Sequence, residues 1–454
     1  MNIGLTYANY TNSMLDQSFS LKNFQEIYDV ENRKGNCLEK NFLEFRDLYD
    51  KTDKIKRATK LAKRAKTKNR KKNLYEAVKQ YKQQKEELLD KHLLQIEKDI
   101  HFDRFKVLLK PGPYIKGKNT YMFEDTPINF FVSKQTQINL NKVFKIRRSS
   151  RNDIIAQLKC VLSDELPKII IKTDIKDFYE TIQHNKMLPV IDSNPLLSIV
   201  SKRYIHKILS QYTSITNKAI GLPRGIGVSA CLSEIYMQKL DEKVKSMPNL
   251  IYYARYVDDI IMVFGLPSIN YDDSIVGKFD EICAKLGLAR NEAKTQTIVV
   301  QRTTNNKSFD FLGYKITVRW NHIDIDFSIK KLNKIKNRIR KAFCIYARTK
   351  NKRSAAHILY QRIKFLTSNT RLINNKNNVV VGIYYSNKFI TGNNSLRALD
   401  RYISLFYKSI SNVNLLTKIK GLSFVNGWEK RIYHKHSVKA LKQITKIWHY
   451  DENC

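Results

Sequence analysis

No run of apolar residues in the chain approaches the roughly 20 that a membrane-spanning helix needs. The opening Met1-Asn2-Ile3-Gly4 begins no leader pattern of charged and then apolar blocks. The expectation is a cytoplasmic protein without a membrane partner. The six cysteines (Cys37, Cys160, Cys231, Cys283, Cys344 and Cys454) are scattered, with no CxxC pair and no histidine cluster beside them. That argues against a zinc module and a disulfide framework, and leaves them as small core or surface residues. Acid is scarce as well. From Phe327 to Leu399, 73 residues, there is none, against 17 Lys or Arg. No internal repeat is visible.

What is present is a 454-residue chain, 42% apolar, enough for two to four domains with a sizeable core. It carries 82 Lys+Arg against 42 Asp+Glu, a formal charge of +40. An excess of that size points to a polyanionic partner. Residues 51–72 concentrate it: 12 of 22 are Lys or Arg, and Asp53 alone opposes them. Ile55, Ala58, Leu61, Ala62 and Ala65 suit a helix there. From Leu74 the pattern turns amphipathic, with Val78, Tyr81, Leu88 and Ile96 at helical spacing. The expectation for 51–72 is contact with phosphate backbone, which positions a nucleic acid without reading its sequence. The competing reading is a solvated helix face.

Pro111-Gly112-Pro113 marks a turn. Lys142, Lys145, Arg147, Arg148 and Arg151 precede a helical stretch from Ile154 to Leu162, and fit a triphosphate contact and an ordinary surface cluster equally. Ile169-Ile170-Ile171-Lys172-Thr173-Asp174 predicts a buried strand ending on an acid. Asp177 and Glu180 predict a capping box opening the next helix. Asp174 has no such local explanation, and a carboxylate beside an apolar run is costly unless a cation or water meets it.

Gly221-Leu222-Pro223-Arg224-Gly225-Ile226-Gly227 predicts a loop before a helix starting near Ser229, with glycines that let a ligand approach the backbone and a helix start suited to phosphate. Tyr252 to Phe264 predicts two strands, with Asp258-Asp259 at the tight turn between them. Residues 275–289 predict a helix, Gln296 to Val300 a strand, and Phe309 to Tyr314 a strand and turn. Ile329, Leu332, Ile335, Ile339, Phe343 and Tyr346 form one helical stripe suited to core packing, and a domain boundary is expected near 326. Residues 400–454 read as largely helical, anchored by Trp428 and Trp448.

Asp174 and the Asp258-Asp259 pair both sit at strand ends. A sheet that sets these ends side by side gathers three carboxylates, which cannot all stay ionised without cations. Hard oxygen ligands suit Mg²⁺. Two such ions can activate an attacking 3′ hydroxyl and stabilise the leaving oxygen, which is nucleotidyl transfer.

The order of the Asp174 block, Leu222-Pro223-Arg224-Gly225, Tyr256-Val257-Asp258-Asp259, Gly287…Lys294-Thr295 and Phe311-Leu312-Gly313 resembles the reverse transcriptase motif series over roughly residues 100–326. The resemblance implies an α+β right-hand polymerase with fingers, palm and thumb. It implies Asp174, Asp258 and Asp259 as ligands of two Mg²⁺ ions, and Lys294 as proton donor to the leaving pyrophosphate. Tyr179 would be the steric gate against a ribose 2′ hydroxyl. Arg224 and Gly225 would lie along the incoming nucleotide, with Arg147 and Arg148 as further nucleotide contacts. Phe311, Leu312, Gly313 and Tyr314 would form the primer grip. Arg224 departs from many reverse transcriptases, where glutamine is usual.

Asp174-Ile175-Lys176-Asp177-Phe178-Tyr179 with Gly221-Leu222-Pro223-Arg224-Gly225 looks like the bacterial antiphage group, the abortive-infection and defence-associated reverse transcriptases. Asp16-Gln17-Ser18-Phe19 and Glu31-Asn32-Arg33-Lys34-Gly35 are similar to one polymerase of the two-polymerase type 3 defence system. That implies a noncoding RNA template, a DNA product, dNTPs, and a second reverse transcriptase subunit or a homo-oligomer as partners. A Cys- and His-bearing intron-type endonuclease and a retron Asn-Ala-x-x-His are not seen, and the stretch beyond 326 reads as too short for both RNase H and integrase regions. The expected organisation is a basic helical extension (1–100), fingers and palm (101–326), a basic helical thumb (327–400) and a helical C-terminal region (401–454). Untemplated or protein-primed synthesis, a non-catalytic RNA-binding scaffold and an RNA-dependent RNA polymerase are the competing functions. The three aspartates weigh against the scaffold, and bulky Tyr179 against the RNA polymerase.

Overall fold

The computed structural model describes residues 16–115, 117–147, 149–266, 274–349, 352–371 and 380–449. The class is α+β, as expected, and 59% helical. The chain divides into two compact units, each assembled from separated stretches. The first comprises residues 1–148, 175–245 and 273–290; the second comprises 149–174, 246–272 and 291–454.

The first unit is helical. Leu21–Arg33 and a long antiparallel hairpin, Arg46–Arg64 and Lys68–His101, form its N-terminal part. Residues 51–72 therefore span two helices, broken at Ala65-Lys66-Thr67. Phe24 and Phe45 both meet the ring of Phe131, at 5.4 and 6.3 Å, on the helix Pro127–Val143. Lys134 of that helix reaches buried Glu31 at 3.2 Å. The N-terminal segment is thus built into the core of this unit. Pro127–Val143 starts as its sequence dictates, with Pro127 in the first turn and the Thr126 hydroxyl accepting from the Asn129 N–H.

One correction falls in this unit. Asp177 and Glu180 do not make a capping box. The helix they precede is one turn, Phe178–Thr181, and Asp177 adopts φ 45°, ψ 43° with no side-chain cap bond. Both acids are instead drawn to distant cations, Asp177 to Lys118 at 2.5 Å and Glu180 to Arg224.

The second unit is built on a four-stranded antiparallel sheet in the order 250–256, 259–265, 168–174, 296–300. Lys168–Asp174 lies between two neighbours, and Ile169, Ile170 and Ile171 are almost wholly buried, as the apolar run predicts. Lys168 is also buried. Its ammonium donates to the carbonyls of Val161 and Asp164, at 3.1 and 3.2 Å, and pairs with the Asp164 carboxylate. A second antiparallel sheet follows, Lys307–Phe311, Tyr314–Val318 and Ile323–Phe327. Then come the helices Ile329–Arg348 and Lys352–Thr367 and the C-terminal helices. One apolar core runs from Ile154 and Ile170 through Phe311 and Ile325 to Ile339, Phe343 and Phe424. It continues across residue 326 without a break. Of the predicted stripe, Ile339, Phe343 and Tyr346 are buried and Ile329 is exposed. Trp428 and Trp448 are anchored as expected, their indole N–H groups donating to Asn387 and Arg338 carbonyls at 3.0 and 3.2 Å.

Candidate active site

The strand register sets the geometry. Asp174, last residue of its strand, lies directly opposite Asp259, first residue of the next. Tyr256 pairs with Asp259, so Val257 and Asp258 form a two-residue turn. Val257 has φ 62°. A β-branched residue pays about 1–3 kcal/mol to sit in that region, so the acidic turn is held under strain. Within it, Arg255 donates to the Val257 carbonyl at 3.0 Å.

The turn Glu292–Lys294 is fastened to the same strand end. Asn291 N–H donates to the Asp174 carbonyl at 2.9 Å, and the Thr173 and Thr295 hydroxyls lie 2.7 Å apart. Lys172 adds a bond to the Lys294 carbonyl at 3.3 Å. These ties bring the Lys294 ammonium onto Oδ2 of Asp174. The contact raises the ammonium's pKa, so the lysine is a protonated donor at neutral pH.

The burial and electrostatics of the acids bear on whether added positive charge fits here. Asp174 is 4% exposed, and its Oδ1 is buried without a hydrogen-bond partner. An orphaned buried carboxylate oxygen costs about 1–3 kcal/mol or more. The Asp259 carboxyl is pushed up to about 6, first by burial, then by the charge of Asp258 and, after the opposing pull of Lys172, by that of Asp174. Thus Asp174, Asp258 and Asp259 share one electrostatic environment, and a hard divalent cation fits it. Among the described residues no group of three or more His, Cys, Asp or Glu side chains, these aspartates included, is gathered closely enough to hold a metal ion by itself. At Oδ2 of Asp174 the counter-charge is Lys294.

The expected primer-grip residues lie in the same unit. Leu312 and Gly313 both have positive φ, 46° and 79°, giving the tight mirror-image turn that closes a two-residue hairpin between Phe311 and Tyr314. Arg151 holds it from outside, its Nε donating to the Leu312 carbonyl at 2.7 Å and its guanidinium lying 4.5 Å from the Tyr314 ring centre. Lys331 also faces that ring, at 4.9 Å, and donates to the Ser386 carbonyl at 2.9 Å. Burial, and secondarily Arg151, lower the Lys331 pKa to about 7. Arg151 was visible as one of a basic cluster. Nothing local singled out Lys331, one of seventeen cations in an acid-free stretch.

The expected nucleotide-binding residues fall in the first unit. Arg224 is engaged by its own protein: Nε and Nη2 grip Glu180 at 2.8 and 3.0 Å, and the guanidinium lies 4.9 Å from the half-buried Tyr179 ring. Gly225, φ 97°, packs closely on protein backbone: a Cβ there would lie 2.7 Å from the Tyr121 carbonyl oxygen. Tyr121 N–H in turn donates to the Arg224 carbonyl at 2.7 Å. Gly221 is similar, φ 91°, with its N–H on the Ile182 carbonyl. Arg147 is exposed, and Arg148 lies outside the described residues. Lys118, bridging Asp177 and Glu180 at 2.5 and 3.6 Å, was missed because nothing in its own neighbourhood marks it.

Residues 124–316 match the family described as reverse transcriptase (RNA-dependent DNA polymerase). The match is to an RNA-directed DNA polymerase (nucleotidyltransferase) domain and covers less than half of the chain, and domains of that family generally use divalent metal ions. Solved structures similar to the chain include two telomerases. An apo telomerase from Candida tropicalis, truncated from the C-terminal domain, is 15% identical over 49% of this chain and 54% of its own, at a TM-score of 0.33. Telomerase from Candida albicans, in complex with a fragment of telomeric RNA, is 14% identical over 70% of this chain and 54% of its own, at 0.32. The chain thus spans about half the length of these telomerase chains. No curated protein sequence matches it. Among the described residues no helix is long and apolar enough to cross a membrane.

Proposed function

We propose that the chain copies RNA into DNA at Asp174, Asp258 and Asp259, which hold two Mg²⁺ ions, and that it works in bacterial antiphage defence on an associated noncoding RNA. The observation that carries the catalytic part is the pairing of Asp174 with Asp259 beside an orphaned Asp174 oxygen and a raised Asp259 carboxyl. When bound, the ions would activate the primer 3′ hydroxyl and offset charge on the leaving oxygen. Lys294 holds a proton on Nζ and is the group assigned to give it to pyrophosphate. Tyr179 is assigned to exclude a ribose 2′ hydroxyl. Arg224 and Gly225 are assigned to the incoming nucleotide, and residues 311–314 to the primer. Residues 101–326 would be fingers and palm, and 327–400 the thumb. The defence role rests on the antiphage-like motifs from Asp174 to Tyr179 and from Gly221 to Gly225.

The test combines dNTP incorporation on a primed RNA template with Mg²⁺, phage challenge, and sequencing of co-purifying RNA and DNA. The expected result is that Asp258→Ala/Asp259→Ala abolishes both incorporation and resistance, and that a structured RNA co-purifies with complementary DNA. Incorporation that survives the double substitution would overturn the catalytic assignment. DNA without complementary RNA would overturn templating.

A further inference from the structure

The N-terminal helical hairpin carries a charge distribution that its fold does not require. From Lys54 to Tyr75, through the end of one helix and the start of the next, there is no acid. Lys60, Lys63, Arg64, Lys66, Lys68 and Arg70 are all exposed at the tip. The hairpin packs through its other side, where Ala58, Ala62, Val78 and Leu93 are buried. Lys56/Lys60, Lys60/Arg64 and Lys68/Lys72 are like charges one turn apart, each unfavourable by about 0.2–0.5 kcal/mol. The helix Lys68–His101 also opens with cations and no acid in its first turn. There they oppose the helix dipole, by about 0.3–1 kcal/mol each. Lys63 and Arg64, in the last turn of Arg46–Arg64, are favoured by that helix's dipole, but the like-charge pairs and the cationic opening turn of Lys68–His101 are not, and a polyanion that offsets this repulsion is their physical explanation.

The surroundings of the cations select the polyanion. Firm seating of a basic helix on an anionic membrane adds an inserted apolar face to the charge, whereas Leu61 and Tyr75 are the only large apolar side chains exposed along Lys54–Tyr75. Single-stranded nucleic acid is held by stacking on several aromatics, and this stretch has only Tyr75. A double helix asks for phosphate contacts over a length and nothing more. At 1.5 Å per residue, Lys56 to Arg64 covers about 12 Å and Lys68 to Lys79 about 17 Å, comparable to the run of phosphates along part of a helical turn.

We propose that the tip of this hairpin is a docking surface for double-helical segments of RNA, bound through phosphates without sequence selection. The proposal deepens the RNA-templated reading, since a structured template RNA is the partner it fits. The test replaces Lys60, Lys63, Arg64, Lys66, Lys68 and Arg70 by Gln in the full chain. Binding to an RNA stem of about 16 base pairs is measured between about 50 and 200 mM KCl. The expected result is at least about tenfold weaker binding and a slope of log K on log salt shallower by about 2–4. Incorporation on a short primer–template at saturating concentration stays intact, which separates this proposal from the catalytic one. Unchanged affinity and slope would overturn it. So would an equal loss for oligo(U), or wild-type binding to phosphatidylserine vesicles as tight as to the stem. As a measure free of mutational damage, the stem should protect Lys63, Lys66 and Lys68 of the wild-type chain from amine acylation; full reactivity with RNA bound would refute the assignment.

Discussion

Lys331→Met tests how this fold tolerates a cation beside another cation. Lys331 lies against the rings of Tyr314 and Phe327, at 4.9 and 5.3 Å from their centres, with the Arg151 guanidinium on the same Tyr314 ring. Its pKa is lowered to about 7 by burial and then by Arg151. A lysine depressed in the folded state disfavours folding while it is charged. The penalty is full below the folded value and fades as pH rises from there toward the unfolded value near 10.4. At about 1.4 kcal/mol per unit the ceiling is about 4–5 kcal/mol at pH 6, falling to about half by pH 9. Two favourable terms oppose it: cation–π contact, about 0.5–2 kcal/mol, and a charged bond to the Ser386 carbonyl, about 1.5–3. Methionine keeps the packing stem, and the Ser386 carbonyl keeps Arg151 as a donor at 3.2 Å. The net expectation is that Lys331→Met stabilises the protein by up to about 3 kcal/mol at pH 6 and by less at pH 9. Urea unfolding at pH 6, 7.5 and 9 measures it. A variant less stable than wild type by the same amount at all three pH values would refute the reasoning, because the ring and carbonyl contacts would then outweigh desolvation.

Gly225→Ala meets both a positive φ and a Tyr121 carbonyl 2.7 Å away, so a loss of about 2–4 kcal/mol is expected in chemical denaturation. Val257→Gly relieves the strained turn and should raise stability by up to about 1 kcal/mol while slowing incorporation, because Asp258 is then held less firmly; an unchanged melting curve would count against strain there. Arg224→Gln breaks a partly exposed pair, so it should cost only about 1 kcal/mol, but it frees Glu180 and the Tyr179 ring. A rise in rNTP relative to dNTP use is the expected kinetic signature. Tyr179→Ala should raise that ratio further, and rNTP discrimination left intact would dismiss Tyr179 as the gate.

The acidic core of the site was legible because its signals are local. An isoleucine run ending in Asp174, and an aspartate pair between two β-branched runs, declare strand ends without reference to the rest of the chain. The strand Gln296–Val300 and the helix Ile329–Arg348 were legible for the same reason. What stayed hidden depends on partners remote in sequence. Glu180 is 44 residues from Arg224, and Asp177 is 59 from Lys118, so the local spacing of the two acids suggested a cap while tertiary ion pairs claimed both. The glycines of the 221–227 loop announced close approach but not to what, and Gly221 and Gly225 lie against the protein's own backbone.

The strand carrying Asp174 has a consequence for how the protein is made. Ile171 pairs with Met262 on one side and Thr297 on the other. At about 5–20 residues per second on the ribosome, the first partner arrives on the order of 5–20 s after the strand itself. Through that interval Ile169, Ile170 and Ile171 are a β-prone apolar segment with both edges unpaired. This interior strand is therefore a segment of the nascent chain that needs protection until its partners emerge, and slowing translation between residues 174 and 259 should lower soluble yield before it alters any property of the finished protein.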